Sequence, residues 1–120
     1  MTYRPDVDSI IFDLDGTLWD ASESSALAWS NVCREIGINK SFSGSDIKAV
    51  SGLPFDKCVD LLFDGISEPN LKARLDRAEK DAIMERGGTF YEGLQDGIKR
   101  LAEGYKLFLV SNCQDWYLQA

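Results

Sequence analysis

The stretch SIIFDLDGTLWD, residues 9–20, places two carboxylates directly after an apolar run. The apolar residues predict a strand over about Ser9–Phe12, with Asp13 and Asp15 at its carboxyl end. A continuous apolar run, unlike an alternating one, is typical of a strand covered on both faces in a parallel sheet. Ligands bind beyond the carboxyl ends of such strands, so we expect the two carboxylates to lie at a binding site.

A second apolar run, YKLFLVSN at residues 105–112, is comparably continuous. It predicts a strand over Tyr105–Val110, with Ser111 at its end. Because the carboxyl ends of neighbouring parallel strands meet at one edge of a sheet, we expect Asp13, Asp15 and Ser111 to converge there. The two runs therefore predict an α/β protein whose ligand site lies at this edge.

The chain between the two predicted strands has the three- and four-residue apolar spacing of amphipathic helices. Start and stop residues divide this region into successive helices. The first contains Ala26, Trp29, Cys33 and Ile36 and ends at Gly37, and the second begins at Ser43. The third follows Pro54 and contains Phe55, Cys58, Val59 and Leu62, and the fourth runs from near Ser67 to Gly87 with Leu71, Leu75, Ala78 and Ala82. The last contains Leu94, Ile98 and Leu101 and ends at Gly104.

Most of this helical region is not needed to connect the two strands. A crossover between parallel strands takes about a dozen residues including a helix, and the segment 95–103 already supplies that helix. Residues 20–88 therefore read as an inserted helical module. We predict that residues 1–19 and 89–120 together form the sheet-containing core.

The composition excludes several classes of function. The 120 residues carry a net charge of −7 without a basic run, which argues against nucleic acid or an anionic membrane as the main partner. No apolar stretch reaches the roughly 18 residues needed to span a bilayer, and the N-terminus has no signal-peptide pattern. The absence of histidine removes His-based triads and His-ligated zinc.

The three cysteines, Cys33, Cys58 and Cys113, are an odd number and have no paired spacing. They are typical of reduced thiols in a cytoplasmic protein. We therefore predict a cytoplasmic location.

The residues of the first motif suit phosphoryl transfer. Mg²⁺ prefers oxygen ligands and commonly bridges a carboxylate to a phosphate. One ionised carboxylate of the Asp13–Asp15 pair can attack phosphorus, and the other can protonate the leaving oxygen and later activate water. Gly16 lets the chain turn past the site, the Thr17 hydroxyl can bond into the loop, and the Ser111 hydroxyl can hold phosphate oxygens.

The first motif has two simpler interpretations, of which the calcium loop fails. An Asp at a strand end followed by Asp-Gly is common turn chemistry. A calcium loop also begins with Asp-x-Asp, but Gly16 comes too early for an EF-hand and Ser24 stands where the closing Glu should be. The apolar lead-in and the matching Ser111 favour the phosphoryl-transfer interpretation.

Other polar and aromatic residues have structural interpretations. We predict that Trp19 and Trp29 pack in the interior, and that the charged segment 68–86 is a solvated helix face. Pairs four residues apart would stabilise such a helix, as Glu68 with Lys72 and Asp76 with Lys80.

The motif FDLDGTLWD closely resembles the first signature of the haloacid dehalogenase superfamily, and LFLVSN resembles its second. The helical insert resembles the cap of the subgroup that includes phosphoglycolate phosphatases and β-phosphoglucomutases. Within it, VSGLPFDKCVDLLF at residues 50–63 is similar to the substrate-specificity loop and helix of such caps. The fold that this resemblance implies is an incomplete Rossmann-like parallel-sheet core with an inserted all-helical cap.

The resemblance also implies roles for individual residues. Asp13 would be the nucleophile and a Mg²⁺ ligand, and Asp15 the general acid/base that also offers its backbone carbonyl to the metal. Candidate phosphate-binding residues are Thr17, Ser111 and Asn112, and the candidate specificity-loop residues are Ser51 and Gly52. An ordinary turn between helices is the competing interpretation of these last two.

The family pattern continues beyond the second signature with a lysine and one or two acidic metal ligands, which residues 112–120 do not supply. We therefore expect the front portion of a longer enzyme, inactive as it stands and prone to self-association through its incomplete core. The predicted activity is Mg²⁺-dependent hydrolysis of a small phosphorylated metabolite. The alternatives are a truncated non-catalytic relative that binds phosphate or a protein, and a sugar phosphomutase.

Overall fold

The computed structural model describes residues 4–119. The first residues of the N-terminus assessed for a signal peptide, and the outer ends of both predicted core segments, lie outside the described residues. The elements in chain order are β1 (Ser9–Phe12), β2 (Trp19–Asp20), α1 (Ser22–Glu35), α2 (Gly44–Ala49), α3 (Phe55–Leu62), α4 (Leu71–Arg86), β3 (Thr89–Phe90), α5 (Leu94–Ala102), β4 (Lys106–Leu109) and a closing 3₁₀ helix (Asp115–Gln119).

The first and last strands, β1 and β4, pair in parallel with Ser9 opposite Lys106 and Phe12 opposite Leu109. This confirms the predicted parallel α/β arrangement. The predicted second strand is one residue too long at each end. The amide of Tyr105 donates to the carbonyl of Leu101 at 2.9 Å in the turn that ends α5, so that residue belongs to the helix exit.

The two connections between the core and the helical region pair with each other as a short antiparallel ribbon. Trp19 lies opposite Phe90, and Asp20 lies opposite Thr89. A Cβ atom at Gly88 would lie 2.7 Å from the Trp19 ring, so only glycine permits this close approach. All four helices α1–α4 lie within the segment 20–88 that we predict to be the cap, and the ribbon brings its two ends together.

An aromatic cluster fills the interior of the helical cap. Trp29 on α1 is 2% exposed, and its ring centroid lies 5.9 Å from those of both Phe55 and Phe63. Leu75 on α4 is fully buried against this cluster. The predicted packing role of Trp29 is confirmed, and the cap has a hydrophobic core of its own.

Helix α4 begins at Leu71, whereas the sequence pattern placed its start near Ser67. Asn70 has a left-handed backbone with φ of 61°, and Pro69 disfavours a helical conformation in the residue before it. Glu68 therefore lies outside the helix, and the predicted pair with Lys72 is wrong: the Lys72 ammonium lies 3.2 Å from Asp60 of α3.

The core half of the molecule leaves apolar surface uncovered. Ile11 and Phe108 stand opposite each other in the β1–β4 register and are 68% and 52% exposed. The radius of gyration is 16.9 Å, compared with about 13.6 Å for a compact domain of this length. The extended shape, 56 × 23 × 22 Å, follows from a cap with its own core joined to a parallel sheet that has two strands within residues 4–119.

None of the helices in residues 4–119 is both long enough and apolar enough to cross a membrane.

Replacing Leu75 by Ala should destabilise the cap by about 2–5 kcal/mol, because the change leaves a cavity in the cap interior. Urea denaturation followed by tryptophan fluorescence measures this loss. Leu61→Ala is the matched control, since Leu61 is 60% exposed and its loss should cost less than about 0.5 kcal/mol. Equal losses for the two variants would contradict this account of the cap core.

The uncovered sheet should make the chain self-associate, since exposed apolar faces and unpaired strand edges favour association. Sedimentation velocity over a concentration series should show oligomers that Phe108→Lys reduces. Met84→Lys is the control, because Met84 is similarly exposed (49%) but lies on the cap. A wild-type chain that stayed monomeric at high concentration would contradict the prediction.

Candidate active site

A cleft of about 640 Å³ lies between the carboxyl ends of β1 and β4 and the helical cap. Six of the residues predicted to form the site line it: Asp13, Asp15, Ser111 and Asn112 from the core, and Ser51 and Gly52 from the cap. Thr17, the seventh predicted residue, is not among the described residues that line the cleft. The structure thus brings together the ends of both strands and the predicted cap loop in one cleft.

The turn after β1 explains this placement. The Leu14 carbonyl accepts hydrogen bonds from the amides of Thr17 (3.2 Å) and Leu18 (2.9 Å), and Leu14 itself is buried. Gly16 has φ of 75°, which a side chain rarely adopts, so glycine permits the sharp turn as predicted. Thr17 consequently lies exposed in the turn.

The two carboxylates of the motif have different surroundings. Asp13 is exposed, whereas Asp15 is partly buried and accepts a 2.5 Å hydrogen bond from the Tyr117 hydroxyl. Burial raises the pKa of Asp15, the Tyr117 hydrogen bond lowers it, and the neighbouring Asp13 charge raises it, with a net upward shift. A raised pKa suits Asp15 to carry a proton, and the exposed position of Asp13 leaves its side chain accessible from the cleft.

Tyr117 is itself held firmly. It is buried and packs edge-on against Trp19, with ring centroids 5.7 Å apart. Burial, followed by its hydrogen bond to Asp15, raises the pKa of the Tyr117 hydroxyl, so this group acts as a neutral donor.

The segment after β4 faces both the core and the cap. The Ser111 hydroxyl accepts a hydrogen bond from the Cys113 amide at 3.3 Å. The Asn112 side-chain amide donates to the carbonyl of Gly52 at 3.1 Å, so it contacts the cap loop. Two of the predicted site regions, the end of the second strand and the cap loop, therefore touch directly.

Glu79 is a cleft residue that the sequence reasoning missed. It lies on α4, is 7% exposed, and accepts a 3.0 Å hydrogen bond from the Gln114 side chain. Burial raises its pKa, and the hydrogen bond from Gln114 partly opposes this. The prediction that segment 68–86 is a solvated face is wrong at this position. The sequence did contain a signal for the burial of Glu79, because Glu79 stands midway between Leu75 and Ile83, four residues from each.

The sequence analysis also did not predict the contact between Gln114 and Asp76. The Gln114 side-chain nitrogen lies 2.9 Å from an Asp76 oxygen, and the Trp116 indole donates to the same oxygen at 3.1 Å. Asp76, for which we predicted an ion pair with Lys80, therefore accepts hydrogen bonds from the neutral side chains of Gln114 and Trp116. Nothing in the spacing of these residues in the sequence predicts that they meet.

The cleft is rich in acidic groups, and Lys48 is the one lysine or arginine among its described lining residues. The Lys48 ammonium lies 3.0 Å from a carboxylate oxygen of Asp20. Hydrogen bonds from Ser22 and the interaction with Lys48 lower the pKa of Asp20, and Asp20 raises that of Lys48. A phosphate entering this cleft would need further positive charge.

The oxygen donors of Asp13 and Asp15 are of the kind that Mg²⁺ prefers. They would supply a carboxylate and a backbone carbonyl, which is fewer than the six positions of an octahedral ion. Within residues 4–119 no cluster of three or more His, Cys, Asp or Glu side chains is placed to hold a metal ion. The donor type fits Mg²⁺, and the remaining positions would go to water, to phosphate oxygens or to groups outside these residues.

Comparison with known families agrees with this site. Residues 10–119 match the family described as haloacid dehalogenase-like hydrolase, nearly the whole chain. The chain belongs to this family. The comparison with curated proteins found no match.

Solved structures share the fold. A hydrolase from Pseudomonas syringae superposes with a TM-score of 0.73 at 21% identity, over 94% of this chain and 52% of that one. A predicted phosphoglycolate phosphatase from Haemophilus somnus 129pt gives a TM-score of 0.70 at 19% identity, over 91% and 53%. CbbY from Rhodobacter sphaeroides, in complex with phosphate, gives 0.69 at 19% identity, over 92% and 53%. The chain spans about half the length of these structures.

The Glu79→Gln variant should become more stable relative to wild type as the pH rises from about 4 toward 7. The quantity that grows is the difference between the two free energies of unfolding. The folded-state pKa of Glu79 is raised above its unfolded value of about 4.3, so wild-type stability is lost as the pH rises through the folded pKa. Glutamine does not ionise and keeps a carbonyl that can accept from Gln114. Urea denaturation at several pH values measures the difference.

Glu85→Gln is the matched control, because Glu85 is exposed on the same helix. The free energy of unfolding of Glu85→Gln should stay within about 0.5 kcal/mol of wild type. A flat difference for Glu79→Gln would show that burial does not disfavour the ionised form of Glu79.

Proposed function

We propose that this chain is the amino-terminal part of a Mg²⁺-dependent phosphohydrolase that acts on a small phosphorylated metabolite through an aspartyl-phosphate. The observation that carries the proposal is the meeting of Asp13, Asp15 and Ser111 in one cleft beneath a helical cap. Membership of the haloacid dehalogenase-like hydrolases supports it, as does the phosphate bound in the CbbY structure.

Asp13 acts as the nucleophile in this proposal, since its carboxylate is exposed at the cleft. One carboxylate oxygen attacks phosphorus, a new O–P bond forms, and the ester P–O bond breaks. The leaving oxygen takes the proton that Asp15 carries. The product is an aspartyl-phosphate on Asp13 and a free alcohol.

The second half of the reaction uses the same two residues. Asp15, now ionised, removes a proton from a water molecule, and the resulting hydroxide attacks the phosphorus of the aspartyl-phosphate. The bond between the Asp13 oxygen and phosphorus breaks, which restores the Asp13 carboxylate and releases inorganic phosphate. The Tyr117 hydroxyl, bonded to one oxygen of Asp15, keeps that carboxyl turned toward the cleft.

The phosphoryl oxygens are held by the Ser111 hydroxyl, whose oxygen also accepts from the Cys113 amide, and by nearby backbone amides. A Mg²⁺ ion bound by the Asp13 carboxylate and the Asp15 carbonyl would neutralise charge between the carboxylate and the phosphate. Because the described lining residues include one lysine, already paired with Asp20, we propose that residues 1–120 alone have no significant activity.

We propose a small metabolite as the substrate, because a cleft of about 640 Å³ beside the cap has room for a molecule of that size. We place the protein in the cytoplasm. Its three cysteines are free, and burial raises the pKa of each thiol, as expected for packing residues without a disulfide role.

The test measures phosphate release from p-nitrophenyl phosphate and a panel of sugar phosphates with Mg²⁺. It compares residues 1–120 with the same chain extended by the polypeptide encoded downstream. We expect release only from the extended chain. Asp13→Asn should reduce it to background, because an amide cannot form the acyl-phosphate, and Asp15→Ala should reduce it by about 10²–10⁴-fold.

Asp96→Asn is the control, since Asp96 is exposed on α5 away from the cleft, and it should leave turnover unchanged. Turnover close to wild type in Asp13→Asn would disprove the assignment of the nucleophile. Transfer of phosphate between sugar positions without release would favour the phosphomutase. An extended chain that binds phosphate and turns over nothing would favour the non-catalytic relative.

A further inference from the structure

Three side chains that follow Ser111 donate hydrogen bonds to the cap. We call residues 112–116 the latch segment. Asn112 donates to the Gly52 carbonyl at 3.1 Å, Gln114 to carboxylates of α4 at 2.9 and 3.0 Å, and Trp116 to an α4 carboxylate at 3.1 Å. These side chains therefore connect the end of the core strand β4 to two separate parts of the cap.

Gln114 is the centre of this connection. Its single side-chain nitrogen carries two hydrogens, and it reaches Asp76 and Glu79, which lie one helical turn apart on α4. Two carboxylates this close, one of them buried, repel each other unless donors stabilise them. An amide nitrogen with no charge and two donors fits both acceptors at once.

The two covalent connections between the core and the cap are held together by few residues. The ribbon of β2 and β3 is two residues long on each side, and Gly87 next to it has a φ of 69°. Cys113 and Trp116 of the latch segment also pack against a small apolar cluster that includes Ile83 of α4. The hydrogen bonds of Gln114, together with those of Asn112 and Trp116, are thus the directional part of an interface that also contains an apolar cluster.

We propose that Gln114 is a positioning residue that latches cap helix α4 to the segment following Ser111 and so holds the cap over the cleft. In the latched state one amide fixes two carboxylates, and the shared Asp76 oxygen also fixes the Trp116 indole. Breaking the Gln114 contacts leaves Asp76 and Glu79 to repel, which turns Asp76 away and frees the Trp116 N–H. The latch also fixes the position of Ser111 relative to the cap, and its role in holding phosphate rests on the proposed function.

The experiment follows the indole N–H signals of a ¹⁵N-labelled chain by NMR. The Trp116 indole reports the latch, because it donates to Asp76. The Trp29 indole, buried in the cap interior, reports whether the cap remains folded. Neither readout needs turnover, so a failure of the proposed hydrolase activity would leave this test unaffected.

Gln114→Glu should accelerate hydrogen exchange of the Trp116 indole by about tenfold or more, because it places three carboxylates together. Gln114→Ala should give a smaller increase in the same direction. Gln95→Glu is the matched control on the exposed face of α5 and should change neither indole. Adding Glu79→Gln to Gln114→Glu exchanges amide and carboxylate between the two positions and should restore part of the protection.

The proposal is overturned if Trp116 exchange in both Gln114 variants equals wild type while Trp29 stays protected. It is also overturned if Gln114→Ala removes the protection of Trp29, because Gln114 would then support the fold of the cap and not its attachment. Selective loss of Trp116 protection, with partial recovery in the double variant, supports the latch.

Discussion

The parallel pairing of β1 with β4 is the constraint on which the rest of the structure depends. It joins two four-residue strands that lie more than 90 positions apart in the chain, and its register places Phe12 beside Leu109. Everything that can carry chemistry follows from that edge, because Asp13 and Asp15 continue from one strand and Ser111 from the other. Closing so long a loop costs conformational entropy, which the separately packed cap reduces by bringing its own ends together in the β2–β3 ribbon.

The acidic groups of the cleft are distinguished by what each one contacts. Asp20 is paired with Lys48, Asp15 is held by a tyrosine hydroxyl, and Glu79 is held by an amide. Asp13 remains exposed at the cleft. Burial raises the pKa of Asp15 and Glu79, and the neutral donors lower it only in part, without cancelling the negative charge of the site. The cleft therefore favours a cation together with an anionic ligand over the anionic ligand alone.

The two halves of the molecule differ in how completely they are covered. The cap buries Trp29 and Leu75 almost fully, whereas the sheet exposes Ile11 and Phe108. A two-stranded parallel sheet has few ways to bury its faces, since such sheets normally have several strands and helices on both sides. The chain also spans only about half the length of the solved structures that it resembles. The cap is the part of this protein that packs as a complete unit.

The sequence alone determined the features that depend on local pattern. Continuous apolar runs gave both strands of the parallel pair, apolar spacing gave the helices, and the position of Asp13, Asp15 and Ser111 just after the strands placed them at one edge. The start of α4 was misplaced, because the left-handed backbone at Asn70 overrides the helical charge pattern around it.

Only the tertiary structure decided which polar groups meet across the cleft. Glu79, Gln114 and Tyr117 each find a partner at least 35 residues away, and Asn112 finds Gly52. Such pairs leave no periodic trace in the sequence, since a hydrogen bond between distant residues depends on how two separately formed units dock. The local pattern fixes where each strand and helix lies along the chain, and docking fixes which donors reach which carboxylates.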